Sequence, residues 1–227
     1  MKYQSVVKAT FLSRPNRFIA MVRVDGKELA CHVKNTGRCR ELLVPGAGGY
    51  LEEARSPGRK TPYSLIAVQK GKLLINIDSQ APNRAVKEWL EEGGLFPDLT
   101  LIQPEKKFGD SRFDFYLERP GERWFLEVKG VTLEENGTVY FPDAPTQRGV
   151  RHVAELRRCL ALGYRAAVLF VIQLEGALCF SPNRATHAAF ADELALAQKE
   201  GVSLLAWDCR ITPDSMTLNA PVPIRLV

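Results

Sequence analysis

Short runs of alternating apolar and polar residues dominate the first third of the chain. "SVVKATFL" (5–12), "RFIAMVRV" (17–24) and "KELACHV" (27–33) read as strands. The last two flank Asp25-Gly26, a dipeptide suited to a two-residue hairpin because both positions tolerate positive φ. "NTGRCRELLVPGAGG" (35–49) is broken by Pro45 and three glycines and reads as a loop with one helical turn. "YLEEAR" (50–55) is a further strand, "SPGRKTP" (56–62) a basic loop, and "YSLIAVQKGKLLINI" (63–77) a hairpin turning at Lys70-Gly71. Short antiparallel strands at this spacing predict a small barrel of the oligonucleotide/oligosaccharide-binding (OB) kind, and an SH3-like barrel fits the same pattern.

Near residue 80 the period changes. In "DSQAPNRAVKEWLEEGG" the residues Ala85, Val86, Trp89 and Leu90 form a helical stripe, with Asn83 as the expected cap and Gly93-Gly94 as the stop. Strands follow at about 101–106, 112–118, 123–133 and 138–141, then a helix over 146–162. "RAAVLFVIQL" (165–174) is apolar almost throughout, as a strand covered on both faces must be. A strand at 177–182, an amphipathic helix at 185–201 and a strand at 203–211 complete a mixed α/β unit, a sheet with helices on its faces.

One stretch breaks the rule that strand interiors are apolar. "SRFDFYLERPGERWFLEVKGVTL" (111–133) reads as two strands about a tight turn, yet holds Asp114, Glu127 and Lys129. Alternation puts Phe125, Glu127 and Lys129 on one face and Leu126 and Val128 on the other; it puts Phe113 and Phe115 together, opposite Arg112, Asp114 and Tyr116. A turn at "RPGE" (119–122) sets 118 against 123 and 114 against 127. Asp114 and Glu127 would then be cross-strand neighbours, close enough that one takes up a proton or a cation settles between them. Hard oxygen ligands suit Mg²⁺ or Mn²⁺, and an adjacent ammonium suits phosphodiester hydrolysis. Glu-x-Lys is equally the pattern of a same-face ion pair on a solvated sheet.

Charge sharpens this. Net charge is +5, but residues 1–80 hold 14 Lys/Arg against 6 Asp/Glu, while 81–227 hold 17 against 20. The basic character therefore belongs to the barrel and points to a polyanion such as DNA or RNA, bound without regard to sequence. The loop residues Arg55, Arg59 and Lys60 are the expected nucleic-acid contacts, with Arg148 as a phosphate clamp. Five cysteines without a C-x-x-C pair read as reduced thiols of a cytoplasmic protein. The amino-terminal segment lacks the apolar core of a signal peptide, and no run is long and apolar enough to span a bilayer.

Asp114 followed by Glu127-Val128-Lys129 on the next strand resembles the PD-(D/E)xK nuclease core, with "RFD" in place of Pro-Asp. That resemblance implies an acidic residue on the preceding helix, for which Glu88 is the match, and a polar residue on the following helix, for which Gln147, Arg148 and His152 are available. More of the chain resembles the sugar fermentation stimulation protein A family, through "RFIAMV", "HVKNTGRCRELLVPG", "DFYL", "FLEVKGVTL", "YFPDAPTQRGVRHVAEL", "FSPN" and "LNAPVPIRL". It implies an OB-like barrel over 1–80 and a restriction-endonuclease-like mixed sheet flanked by helices over 81–227. It also implies nonspecific DNA binding and a link to regulation of sugar (maltose) metabolism.

The expected site is thus Asp114 and Glu127 on a Mg²⁺ or Mn²⁺ ion, Lys129 stabilising the transition state and Glu88 assisting. A DNA-binding regulator that keeps the nuclease core as a silent scaffold is the alternative, and a sugar-binding barrel a third. Asp143 is expected to cap the 146–162 helix, while His32, Phe18 and Tyr63 fit either structural or binding roles. Oligomeric state, including a homodimer, is left open.

Overall fold

The computed structural model describes residues 1–35, 37–54 and 61–226. Strands β1 (Val6–Asn16), β2 (Ile19–Val24), β3 (Lys27–Val33), β4 (Gly48–Glu53), β5 (Tyr63–Lys70) and β6 (Leu73–Asn76) form one sheet in the order β3-β2-β1-β4-β5-β6. A parallel pairing of β3 with β5, His32↔Ser64 and Val33↔Leu65, closes β1–β5 into an OB barrel. The β2–β3 hairpin turns on Asp25 (φ 48°) and Gly26 (φ 79°), both left-handed as a type I′ turn requires. Alternate inward residues, among them Phe11, Ala20, Val22, Cys31, Leu51, Leu65 and Ile75, fill the barrel.

Helix α1 (Ala81–Glu91) leaves the barrel. Pro82 lies in its first turn, where a missing N–H costs nothing. The cap position is Gln80, without a side-chain bond, rather than Asn83, whose amide is used elsewhere. Strands β7 (Leu101–Phe108), β8 (Ser111–Arg119), β9 (Glu122–Val131), β12 (Arg165–Ile172), β14 (Ser203–Thr212) and β15 (Ser215–Pro221) form a mixed sheet in the order β15-β14-β12-β9-β8-β7. The pairs β9–β12 and β12–β14 are parallel, and the outer pairs antiparallel. A smaller sheet joins β10 (Leu133–Glu135), β11 (Thr138–Phe141) and β13 (Cys179–Pro182).

The apolar run at 165–172 supplies both faces of the large sheet. Ala166, Val168, Phe170 and Ile172 pack into the core that includes Val153, Leu156, Phe190 and Leu194 of α2 (Gln147–Ala161) and α3 (Arg184–Glu200). Ala167, Leu169 and Val171 pack on the other side with Ala85, Val86 and Leu90 of α1. The cap of α2 is Thr146, which accepts from Gly149 N–H, so Asp143 is not the cap; it is exposed three residues earlier. The edge strand β15 was not expected from its sequence, "SMTLNAP", whose pattern is mixed and Pro-terminated.

Buried polar contacts join barrel and sheet. Gln173 Nε2 donates to Asn76 O (3.0 Å), Asn76 Oδ1 (3.1 Å) and Asp78 O (3.2 Å), while Asn76 N–H donates back to Gln173 O at 2.9 Å. Lys70 pairs with Glu134 at 2.6 Å. Removing the amide of Gln173 leaves buried acceptors without donors, a cost on the order of 1–3 kcal/mol. Gln173→Ala is therefore expected to lower the unfolding free energy by that amount, read as a lower urea midpoint at unchanged m; an unchanged midpoint refutes this account of the junction.

Candidate metal and phosphodiester site

Backbone pairing of β8 with β9 runs from Arg119↔Glu122 to Phe115↔Leu126. The ladder stops there, one step short of Asp114 and Glu127. At that step the ladder gives way to a side chain: Val128 N–H donates to Asp114 Oδ2 at 2.8 Å. On the other side, β7 steps from Pro104↔Phe115 to Lys106↔Phe113, and Glu105 between them has a φ of 56°. The facing of β8 changes between Phe113 and Phe115. Phe113 packs against Phe108, Phe125 and His152, whereas Phe115 joins the α1 side, so the expectation that the two share a face is corrected.

Glu127 and Lys129 do share a face. Lys129 Nζ donates to Glu127 Oε1 at 2.5 Å. His152 of α2, 4% exposed, approaches the same oxygen through Nδ1 at 2.5 Å. Arg148 Nε–H, one helical turn earlier, donates to His152 Nε2 at 3.3 Å. That bond makes Nε2 an acceptor and directs a proton on Nδ1 towards Glu127. Two donors therefore converge on Oε1, while Glu127 Oε2 is buried with no hydrogen-bond partner among the described residues.

The two carboxyls are driven apart in acidity. Burial and the Glu127 charge raise the pKa of Asp114, against the opposing effects of Val128 N–H, Asn83 and Lys129. Burial also works to raise Glu127, but the His152 hydrogen bond and the Lys129 ammonium outweigh it and hold Glu127 below the ordinary carboxylate value.

Asn83 was not anticipated here. Its Nδ2 donates to Asp114 Oδ1 at 2.7 Å. Packing places it: a Cβ at Gly130 would lie 2.9 Å from Pro82 Cγ and 2.5 Å from Gln173 Oε1, so only glycine lets the start of α1 sit this close to β9. Glu88, expected at the site, instead pairs with the Met1 ammonium at 2.5 Å, because it lies well over a turn further along α1 than Asn83. Arg148 reaches the site through His152, and Gln147 is exposed at the start of α2. His32 and Tyr63 are partly buried in the barrel wall, and Phe18 is 48% exposed. Arg55, Arg59 and Lys60 lie outside the described residues.

The donors fit a hard divalent cation. Among the described residues no three of His, Cys, Asp and Glu come together as a ligand cage. Two adjacent carboxylates, one with a buried unpaired oxygen, nonetheless match the one or two that a largely hydrated Mg²⁺ takes from protein.

Residues 12–77 match the family model described as "SfsA N-terminal OB domain", and residues 80–215 match "Sugar fermentation stimulation protein RE domain". The chain belongs to the sugar fermentation stimulation protein family. A family homologue from Desulfitobacterium hafniense is 55% identical over 227 residues, covering 100% of this chain and 99% of the relative. One from Clostridium beijerinckii is 51% identical over 226 residues, with both chains covered in full. Among solved structures, Pyrococcus furiosus SfsA, described as a complex with Ca²⁺, superposes with a TM-score of 0.89 at 27% identity, covering 99% of this family member and 98% of the other chain.

Proposed function

We propose that this protein is a divalent-metal-dependent phosphodiesterase acting on nucleic acid, with Asp114 and Glu127 holding the cation. The observation that carries this reading is Glu127 Oε2, a buried carboxylate oxygen without a partner beside a second carboxylate that Glu127 repels. Buried acceptors are seldom left unpaired, and a hard cation answers both features at once. The Ca²⁺ of the Pyrococcus furiosus structure supports a preference for a hard, oxygen-seeking ion. When bound, such an ion supplies Lewis acidity towards a phosphodiester oxygen. Lys129 adds fixed positive charge where charge develops on the phosphate. His152 and Arg148 orient Glu127, and Asn83 orients Asp114. The basic barrel adds affinity for DNA or RNA of any sequence. Five free, buried thiols suit a reducing, cytoplasmic setting, and among the described residues no helix is long and apolar enough to cross a membrane.

A regulator of sugar metabolism that binds DNA without cutting it is the second reading, favoured by the names of the relatives and by Lys129, which already neutralises Glu127. Purified protein incubated with labelled single-stranded, duplex and branched DNA and RNA in Mg²⁺ or Mn²⁺ separates the two. Metal-dependent cleavage, lost in EDTA, is the expected result; binding without cleavage on every substrate gives the second reading.

A further inference from the structure

The β1–β2 turn and the loop after β3 meet around a groove of about 350 Å³ whose lining includes four arginines and no carboxylate. Arg14 is committed to structure. Its Nη1 donates to the carbonyls of Gly37 (2.9 Å) and Arg38 (2.7 Å), and its Nη2 to those of Arg17 and Asn35 (both 2.8 Å). One guanidinium thus ties the turn to the loop and fixes where Arg17, Arg38 and Arg40 project. Those three are exposed, and none makes an ion pair among the described residues. Glu41, next in sequence, does not line the groove.

Beside them is an aromatic ring on an ordered turn. Asn16 Oδ1 accepts from Phe18 N–H (2.9 Å) and Ile19 N–H (3.1 Å), and Val33 N–H donates to Phe18 O at 2.8 Å. The Arg17 guanidinium lies 5.3 Å from the centre of the Phe18 ring, yet Phe18 remains 48% exposed. Single exposed aromatics are common on protein surfaces, but one beside three unpaired guanidiniums combines the two elements of single-strand recognition. The turn between the first two strands is also one of the two loops through which OB barrels bind oligonucleotides. The same loop rests against the second domain: a Cβ at Gly37 would lie 2.4 Å from Asp143 Oδ2, and Asp143 precedes the helix that carries Arg148 and His152.

We infer that Arg17, Arg38, Arg40 and Phe18 form a landing surface for an unpaired strand of nucleic acid, the arginines taking phosphates and Phe18 a base. The inference rests on the reading that the substrate is nucleic acid, and deepens it to a single-stranded one. It also moves the main contact away from the loop of Arg55, Arg59 and Lys60.

The test is fluorescence anisotropy in EDTA, where cleavage plays no part, with a labelled single-stranded DNA, the same length containing abasic sites, and a duplex, each over a range of salt. The triple variant R17A/R38A/R40A is expected to bind the single strand at least about tenfold more weakly. Its log–log salt slope should be shallower by about two, as loss of three phosphate contacts implies. Phe18→Ala should weaken single-strand binding about tenfold and leave abasic and duplex binding unchanged. Melting curves confirm that the variants fold. Wild-type affinity and slope in the triple variant, with loss confined to R55A/R59A/K60A, overturn the surface while leaving the nucleic-acid reading intact. Equal losses for Phe18→Ala on all three probes overturn the stacking role. A wild-type protein that binds no probe overturns both readings.

Discussion

Asp114→Asn is expected to abolish cleavage while making the metal-free protein more stable. The substitution keeps an acceptor for Val128 N–H and, with a flipped Asn83 amide, a partner for Asn83. What it removes is a buried negative charge facing Glu127. A cation that contributes several kcal/mol to charge stabilisation is lost with it, which corresponds to roughly a thousandfold or more in rate. The sign of the stability effect follows from linkage. Asp114 has a native pKa above its unfolded one, so the folded state binds more protons in that interval and loses stability as pH rises through it. The advantage of Asp114→Asn in melting temperature should therefore grow from acidic to neutral pH. Titration with Ca²⁺ or Mn²⁺ should raise the melting temperature of the wild type and leave the variant unmoved. A variant that cleaves normally, or responds to the cation like the wild type, removes Asp114 from the site.

Lys129→Ala is expected to separate cation binding from chemistry. Lys129 touches Glu127 Oε1, which His152 also holds, so Glu127 keeps a partner and its position when the ammonium is removed. The cation should bind at least as well, because a competing positive charge is gone. The chemical step should slow by roughly a hundred- to a thousandfold, the usual effect of losing one preorganised charge at a developing oxyanion. Single-turnover kinetics alongside calorimetric Ca²⁺ titration read the two quantities separately. If Ca²⁺ affinity collapses with the rate, Lys129 serves to shape the site rather than to act on the phosphate.

The parts of this protein that were legible in its sequence are those fixed by local rules. The barrel strands alternate, the hairpin at Asp25-Gly26 has the left-handed turn that this dipeptide favours, and β12 is apolar on both faces because it is covered on both. The register of β8 against β9, from Arg119↔Glu122 to Phe115↔Leu126, needed only the length of one turn. The change of facing between Phe113 and Phe115 did not show, since it falls at Asp114, inside a run that reads as regular alternation. Asn83 was read as a cap because asparagine favours that position; its true partner is set by how closely Gly130 lets α1 approach. Glu88 was drawn from the resemblance rather than from geometry, and the helix turns it towards the amino terminus. The arginine groove is invisible in sequence because its members come from two separate segments that Arg14 ties together.

The hydrogen bond from Val128 N–H to Asp114 has a consequence for how this site can be watched. At that step of the strand, the partner of a main-chain amide is the Asp114 carboxylate rather than a neighbouring carbonyl. The amide proton's chemical shift and its exchange with solvent are thereby coupled to the charge on Asp114. Ion uptake, protonation and mutation at the site each register on one backbone nucleus, in the unlabelled native fold and with no substrate present.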